Sequence, residues 1–137
     1  MKIIVVGSPR SGKSTYAIKS GLTHYCTDPK SLVKEPTERT IYMPETLPWG
    51  DDSSFVVSRW FTKPGDWIIE GVGTVRALRK WAVRYPNVMP CDKIVVFHGH
   101  HPKAIVSDGQ RNMGKGIMNI WGDIASYFNS ITEHIQQ

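Results

Sequence analysis

Cysteine is scarce in this chain: Cys26 and Cys91 are the only two in 137 residues, far apart and without the paired spacing of a zinc site. Neither a disulfide framework nor a structural zinc is expected, and both thiols read as reduced, as in a cytoplasmic protein. Long apolar runs are missing as well. The start Met1-Lys2-Ile3-Ile4-Val5-Val6 looks superficially like a secretory leader, but its apolar run stops at Gly7, far short of a signal core. No stretch approaches the roughly 20 apolar residues that a membrane-spanning helix needs, so no membrane partner is expected. Internal repeats and low-complexity tracts are also lacking, which leaves one domain over residues 1–137.

Acidic residues are outnumbered. The chain has 17 Lys and Arg against 12 Asp and Glu, a net charge of +5, which suits an anionic partner. A nucleotide would satisfy it; nucleic acid is compatible with it and not required. The hydrophobic share of 40 per cent, with five tryptophans, fits a packed globule rather than a disordered chain.

One motif is specific. Gly7-Ser8-Pro9-Arg10-Ser11-Gly12-Lys13-Ser14 matches the phosphate-binding pattern G-x-x-x-x-G-K-[ST] in full, directly behind Ile3-Ile4-Val5-Val6. The chemistry needs a strand end, a glycine turn and a helix opening with free N–H groups, in that order. Gly7 and Gly12 let the backbone turn its amides onto a polyphosphate. Lys13 is placed to charge-stabilise the β- and γ-phosphates, and the Ser14 hydroxyl suits a Mg²⁺ bridging them, with Thr15 next on the new helix. ATP and Mg²⁺ are the expected cofactors.

Strand and helix signals alternate behind this loop. A helix is expected over about Lys13 to Ser20, stopped by Gly21, then a strand Thr23–Thr27 with Asp28 just past its end before Pro29. Residues 30–50 read mostly as loop, with Thr40–Met43 as a strand. Asp51-Asp52-Ser53-Ser54 should open a short helix, Trp67–Gly71 is a buried strand, and Thr74 should cap a helix from Val75 to about Tyr85. Lys93–Phe97 reads as the last clear strand. A glycine-containing flap over 98–116 and a closing helix with an Ile117, Ile120, Trp121, Ile124, Phe128, Ile131 stripe complete the chain. Continuous apolar strands alternating with helices predict an α/β fold, a three-layer αβα sandwich around a mostly parallel sheet of about five strands. Ligands bind beyond the carboxyl ends of such strands, so Gly7, Asp28, Glu70 and His98 should meet at one edge.

Several residues there carry chemistry with a bland alternative beside each. Glu70 ends a strand where a carboxylate could hold Mg²⁺ or its waters; otherwise it is a surface acid. Asp28 could accept a proton from an attacking hydroxyl, or simply make an Asp-Pro turn. Arg111 and Lys115, set among Gly109, Gly114 and Gly116, read either as a phosphate-closing flap or as a solvated loop. Arg76, Arg79, Lys80 and Arg84 give a helix its wet face, or one of them, Arg76 near the helix start, touches a substrate anion. His98, His100 and His101 lack a carboxylate or cysteine at ligand spacing and read as solvent-titrating rather than metal-binding.

With these residues in place, the chain resembles the P-loop kinase superfamily, among them gluconate-kinase-like, polynucleotide-kinase-like and zeta-toxin-like proteins. The resemblance rests on Gly7 to Ser14, on Thr27-Asp28, and on Ile68-Ile69-Glu70-Gly71 followed by the arginine-bearing helix. It implies a P-loop NTPase fold, Asp28 at the acceptor hydroxyl, and Arg111, with Lys115, on a lid over ATP. Neither an Asp-x-x-Gly switch nor an Asn-Lys-x-Asp guanine-reading motif occurs, which disfavours a GTPase, and no strand ends in paired acids as in motor ATPases. Three functions follow as expectations. The first is a kinase acting on an unidentified small-molecule or nucleotide acceptor. The second is an ATPase switch with a protein or nucleic-acid partner, and the third a nucleotide-responsive module without turnover.

Overall fold

A computed structural model describes residues 1–48 and 50–137; Trp49, inside the stretch expected to be mostly loop, lies outside them. In chain order the elements are β1 (Lys2–Val6), α1 (Lys13–Lys19), β2 (Thr23–Pro29), β3 (Thr40–Met43), α2 (Asp52–Phe55) running into a π-turn at Val56–Trp60, β4 (Trp67–Glu70), α3 (Thr74–Arg84), β5 (Lys93–His98), α4 (Asp108–Ile124) continued by 3₁₀ turns over Ala125–Ile131, and β6 (Thr132–Gln136). Six strands form one sheet in the order β3-β2-β4-β1-β5-β6, and every described pairing is parallel. The α/β class and the parallel sheet match expectation; the strand number, about five, does not.

Each face of the sheet has its own core. Ile3, Val5, Ile68, Val95 and Phe97 pack with Ala17 of α1 on one side. Ile4, Val6, Ile69, Ile94 and Val96 pack on the other with Ala77, Leu78 and Trp81 of α3 and Ile117, Trp121 and Ile124 of α4. Alternate residues of one strand thus enter different cores, which is why the strands are apolar throughout. From β1 the chain travels towards β2 beneath α1; from β4 it travels the opposite way beneath α3, and continues so under α4. Reversing both direction and face keeps the crossovers of one hand, and it opens a crevice beyond the carboxyl end of β1.

The additional strand is β6. Its sequence Thr-Glu-His-Ile-Gln shows no apolar run, because an edge strand has one neighbour and here keeps Glu133 and His134 in solvent. Register is fixed instead by Ile94↔Thr132 through His98↔Gln136 and by Lys93 with Glu133. Residues 108–116 are a second departure: expected within a flap, they form the first half of α4. The Ser107 hydroxyl accepts from the Gln110 N–H at 3.2 Å while the Gln110 side chain accepts from the Ser107 N–H at 3.0 Å. This reciprocal box offsets the helix cost of Gly109, Gly114 and Gly116. Thr74, expected as a cap, is the first residue of α3, and its hydroxyl donates to the Val5 carbonyl at 2.8 Å. Asp28 also lies within β2 rather than past its end.

Gly71 is where β4 turns into the approach to α3. Its φ of 128° is closed to most L residues, and a Cβ there would stand 2.9 Å from the Thr27 backbone nitrogen. Gly71→Ala is expected to destabilise the fold by roughly 2–5 kcal/mol, from left-handed strain plus overpacking. Gly73→Ala provides the comparison, since it meets the Thr27 hydroxyl at 3.1 Å from an ordinary φ of −86°. Denaturant unfolding should rank the two in that order; equal losses would remove backbone strain as the cause.

Candidate functional site

The turn from β1 to α1 is built as the motif requires. Gly12 takes φ 98° immediately before α1, and Arg10 takes φ 65°, the one non-glycine with positive φ among the described residues. Arg10 is held there from outside: its carbonyl accepts from the His101 N–H at 2.8 Å, while the His100 ring bonds the Pro9 carbonyl at 3.0 Å. Helix α4 closes the same side, with Gly114 so near that a Cβ would come within 2.9 Å of that of Ser8. A Cβ on Gly7 would likewise meet Phe97 at 3.0 Å. The loop is therefore clamped along its first half, from Gly7 to Arg10.

Lys13 is buried, and its ammonium donates to the Ser8 carbonyl at 2.6 Å and to the Ser11 hydroxyl at 3.4 Å. Burial lowers its pKa, while the charges of Glu70 and Asp28 act the other way. No carboxylate lies within ion-pair distance of it among the described residues. A buried cation bonded only to neutral acceptors is suited to an anion seated in the loop. Ser14 follows Lys13 in the first turn of α1, and its hydroxyl donates to Glu70 Oε2 at 3.2 Å. These two oxygens are hard donors of the type Mg²⁺ takes beside phosphates. Among the described residues no group of three His, Cys, Asp or Glu forms a metal cage.

Glu70 is buried and oriented by residues the motif search did not single out. His24 Nε2 stands 2.8 Å from Glu70 Oε2, His24 Nδ1 3.0 Å from the Thr40 hydroxyl, and the Thr40 hydroxyl 2.7 Å from that of Thr37. The His24 ring thus bridges the Glu70 carboxyl and the Thr40 hydroxyl. The alternation of His24, Cys26 and Asp28 along β2 was the available signal, since it puts all three on one face of the strand.

One cavity of about 750 Å³ joins these groups, lined by residues 9–15 of the loop and by His24, Cys26, Asp28, Thr40, Tyr42 and Glu70. Lys34 and Glu35 line it from the segment before β3, and His101, Lys103 and Gln110 from the β5–α4 side. Burial, then the charge of Glu70, raises the Asp28 pKa, opposed by Lys13 and by the Val72 N–H. Gly7, Asp28 and Glu70 thus meet at one edge as expected. Arg111 and Lys115 do not join them: both are exposed and neither lines the cavity. The inward stripe of α4 runs through Gln110, Gly114, Ile117 and Trp121, and each cation sits one residue, about 100°, round the helix from it. His98 instead bonds His134 of β6 at 2.7 Å.

Both cysteines are free and buried. Burial, followed by the charges of Glu70 and Asp28, pushes the Cys26 thiol far up, and burial pushes Cys91 up to about 12. Neither thiol should react with a disulfide reagent at pH 8 in the folded protein, and both should react on unfolding. Prompt labelling of Cys26 would show that the cavity floor opens to solvent.

No described helix is long and apolar enough to cross a membrane. Comparison of the chain with protein-family models, with curated proteins and with solved structures finds no significant match.

Proposed function

We propose that this protein has the P-loop NTPase fold, binds ATP with Mg²⁺ at residues 7–15, and transfers the γ-phosphoryl group to a small-molecule or nucleotide acceptor held beside Asp28. The observation that carries this reading is the single cavity of about 750 Å³ whose walls hold Lys13, the Ser14–Glu70 pair and Asp28 together. Loop amides and Lys13 bind the phosphates and neutralise charge that grows on their oxygens during transfer. Ser14 and Glu70 are the residues that would hold Mg²⁺, which when bound draws charge from the β- and γ-oxygens.

Asp28 accepts the acceptor's hydroxyl proton as that oxygen bonds to the γ-phosphorus and the bond to the bridging oxygen breaks, releasing ADP. A raised pKa makes it a stronger base than an ordinary aspartate. His24 fixes the Glu70 carboxylate, and Lys103 takes the cationic role expected of Arg111 and Lys115, because it lines the cavity and they do not. The test is a melting screen of nucleoside triphosphates with Mg²⁺, followed by phosphate transfer to candidate acceptors. A midpoint unmoved by every triphosphate overturns the proposal.

A further inference from the structure

A second cavity, of about 550 Å³, opens between the outer face of α3 and the segment Gly50–Ser53, and no residue lines both cavities. Arg76, Arg79, Lys80 and Arg84 line it with Gly50, Ser53 and Val83, and no acidic side chain does so among the described residues. Helix α3 buries Val75, Ala77, Leu78, Trp81 and Ala82 inward, so these cations follow one another along its outer side over about 12 Å, at the helical rise of 1.5 Å per residue.

A wet helix face would account for polarity, not for this arrangement. Exposed faces ordinarily alternate charge sign, whereas α3 contains no acid at all and sets Arg76 against Lys80, and Lys80 against Arg84, at the i,i+4 spacing where like charges repel. None of the four is ion-paired among the described residues. Lys80 donates to the neutral Ser54 hydroxyl at 2.6 Å, and among the described residues Asp51 and Asp52, close by in the chain, make no ion pair with the row. A polyanion would relieve the repulsion.

The shape and chemistry of the row favour one polyanion. The cations succeed one another along the outer side of α3 beside an open cavity, and three are arginines, whose forked donors match phosphate and whose planes stack on bases. Val83, 82% exposed, adds an apolar contact within the groove.

We propose that this groove binds the backbone of single-stranded nucleic acid, independently of the nucleotide cavity. The test is fluorescence anisotropy of a labelled short oligothymidylate titrated with the full chain. Four neutralised phosphates predict that affinity falls roughly fiftyfold between about 50 and 200 mM salt. Arg79→Glu with Arg84→Glu should weaken binding at least tenfold while leaving any ATP-induced melting shift unchanged, and Lys13→Ala should bind the oligonucleotide like the parent protein. If the double variant fails to fold by circular dichroism, the single Arg79→Gln and Arg84→Gln variants are measured, each with a smaller loss in the same direction. No binding by the parent at the lower salt sinks the proposal, as do parental affinity in the folded variants, loss of binding in Lys13→Ala, and equal affinity for an oligoglutamate of the same length. The last result would assign the groove to an acidic protein.

Discussion

Asp28→Asn should lose phosphoryl transfer by a factor of roughly 10²–10⁴, the contribution of a positioned general base, and yet melt at a higher temperature than the parent protein. The two effects share one cause. Burial and the Glu70 charge hold the Asp28 carboxyl above its ordinary 3.8, so over the interval from 3.8 upward the folded chain binds more protons than the unfolded one. Stability therefore falls as pH rises through that interval, and at neutral pH the ionised side chain is a cost that asparagine removes. The parent and Asp28→Asn should accordingly converge in melting temperature as pH is lowered towards 3.8. ATP-induced stabilisation should persist in the variant, because the loop and Lys13 are untouched. Retained transfer would exclude Asp28 from the chemistry, and a variant that melts lower at neutral pH would mean that its carboxylate holds the cavity together.

Lys13→Ala should abolish the ATP response. In the parent, ligand at a hundred times its Kd stabilises by about 2.7 kcal/mol, which for a domain of this size raises the melting midpoint by roughly 10 °C. The variant should show no shift at the same concentration. Among the described residues Lys13 is the cation buried at the loop, whereas Arg10, which also lines the cavity, is exposed and has its carbonyl bonded by the His101 N–H. An unchanged shift in Lys13→Ala would locate ATP elsewhere on the chain.

The parts of the molecule legible in the sequence are those where local pattern and tertiary demand coincide. Ile3 to Val6 and Trp67 to Glu70 are buried on both faces, so composition alone marks them as central parallel strands. The loop from Gly7 to Ser14 is equally plain, since its geometry depends on glycine positions and one lysine. Where the fold supplies what the local sequence lacks, reading fails. Thr132–Gln136 becomes a strand because β5 offers it an edge, not because it is apolar. The glycines at 109, 114 and 116 suggest a flap, whereas the Ser107–Gln110 box marks a helix start. His24 went unnoticed because its partners, Glu70 and Thr40, are distant in the chain. Arg111 and Lys115 were read by composition, and their exclusion from the cavity depends on helix phase, which only the buried position of Gly114 sets.

The all-parallel sheet has a consequence in time. No two of its described strands form a hairpin, and β1 pairs with strands far along the chain, as at Ile4↔Ile69 and Ile4↔Ile94. Pairings of such long sequence separation form slowly, because the intervening loop must close before any contact rewards it. Residues 7 to 14 are enclosed by elements that all follow them at long separation: Glu70 of β4, Phe97 of β5, His100 and His101 behind it, and Gly114 of α4. The 7–14 turn is thus local in sequence but late in folding, because the cavity beside it cannot close until β4, β5 and α4 have been brought to it.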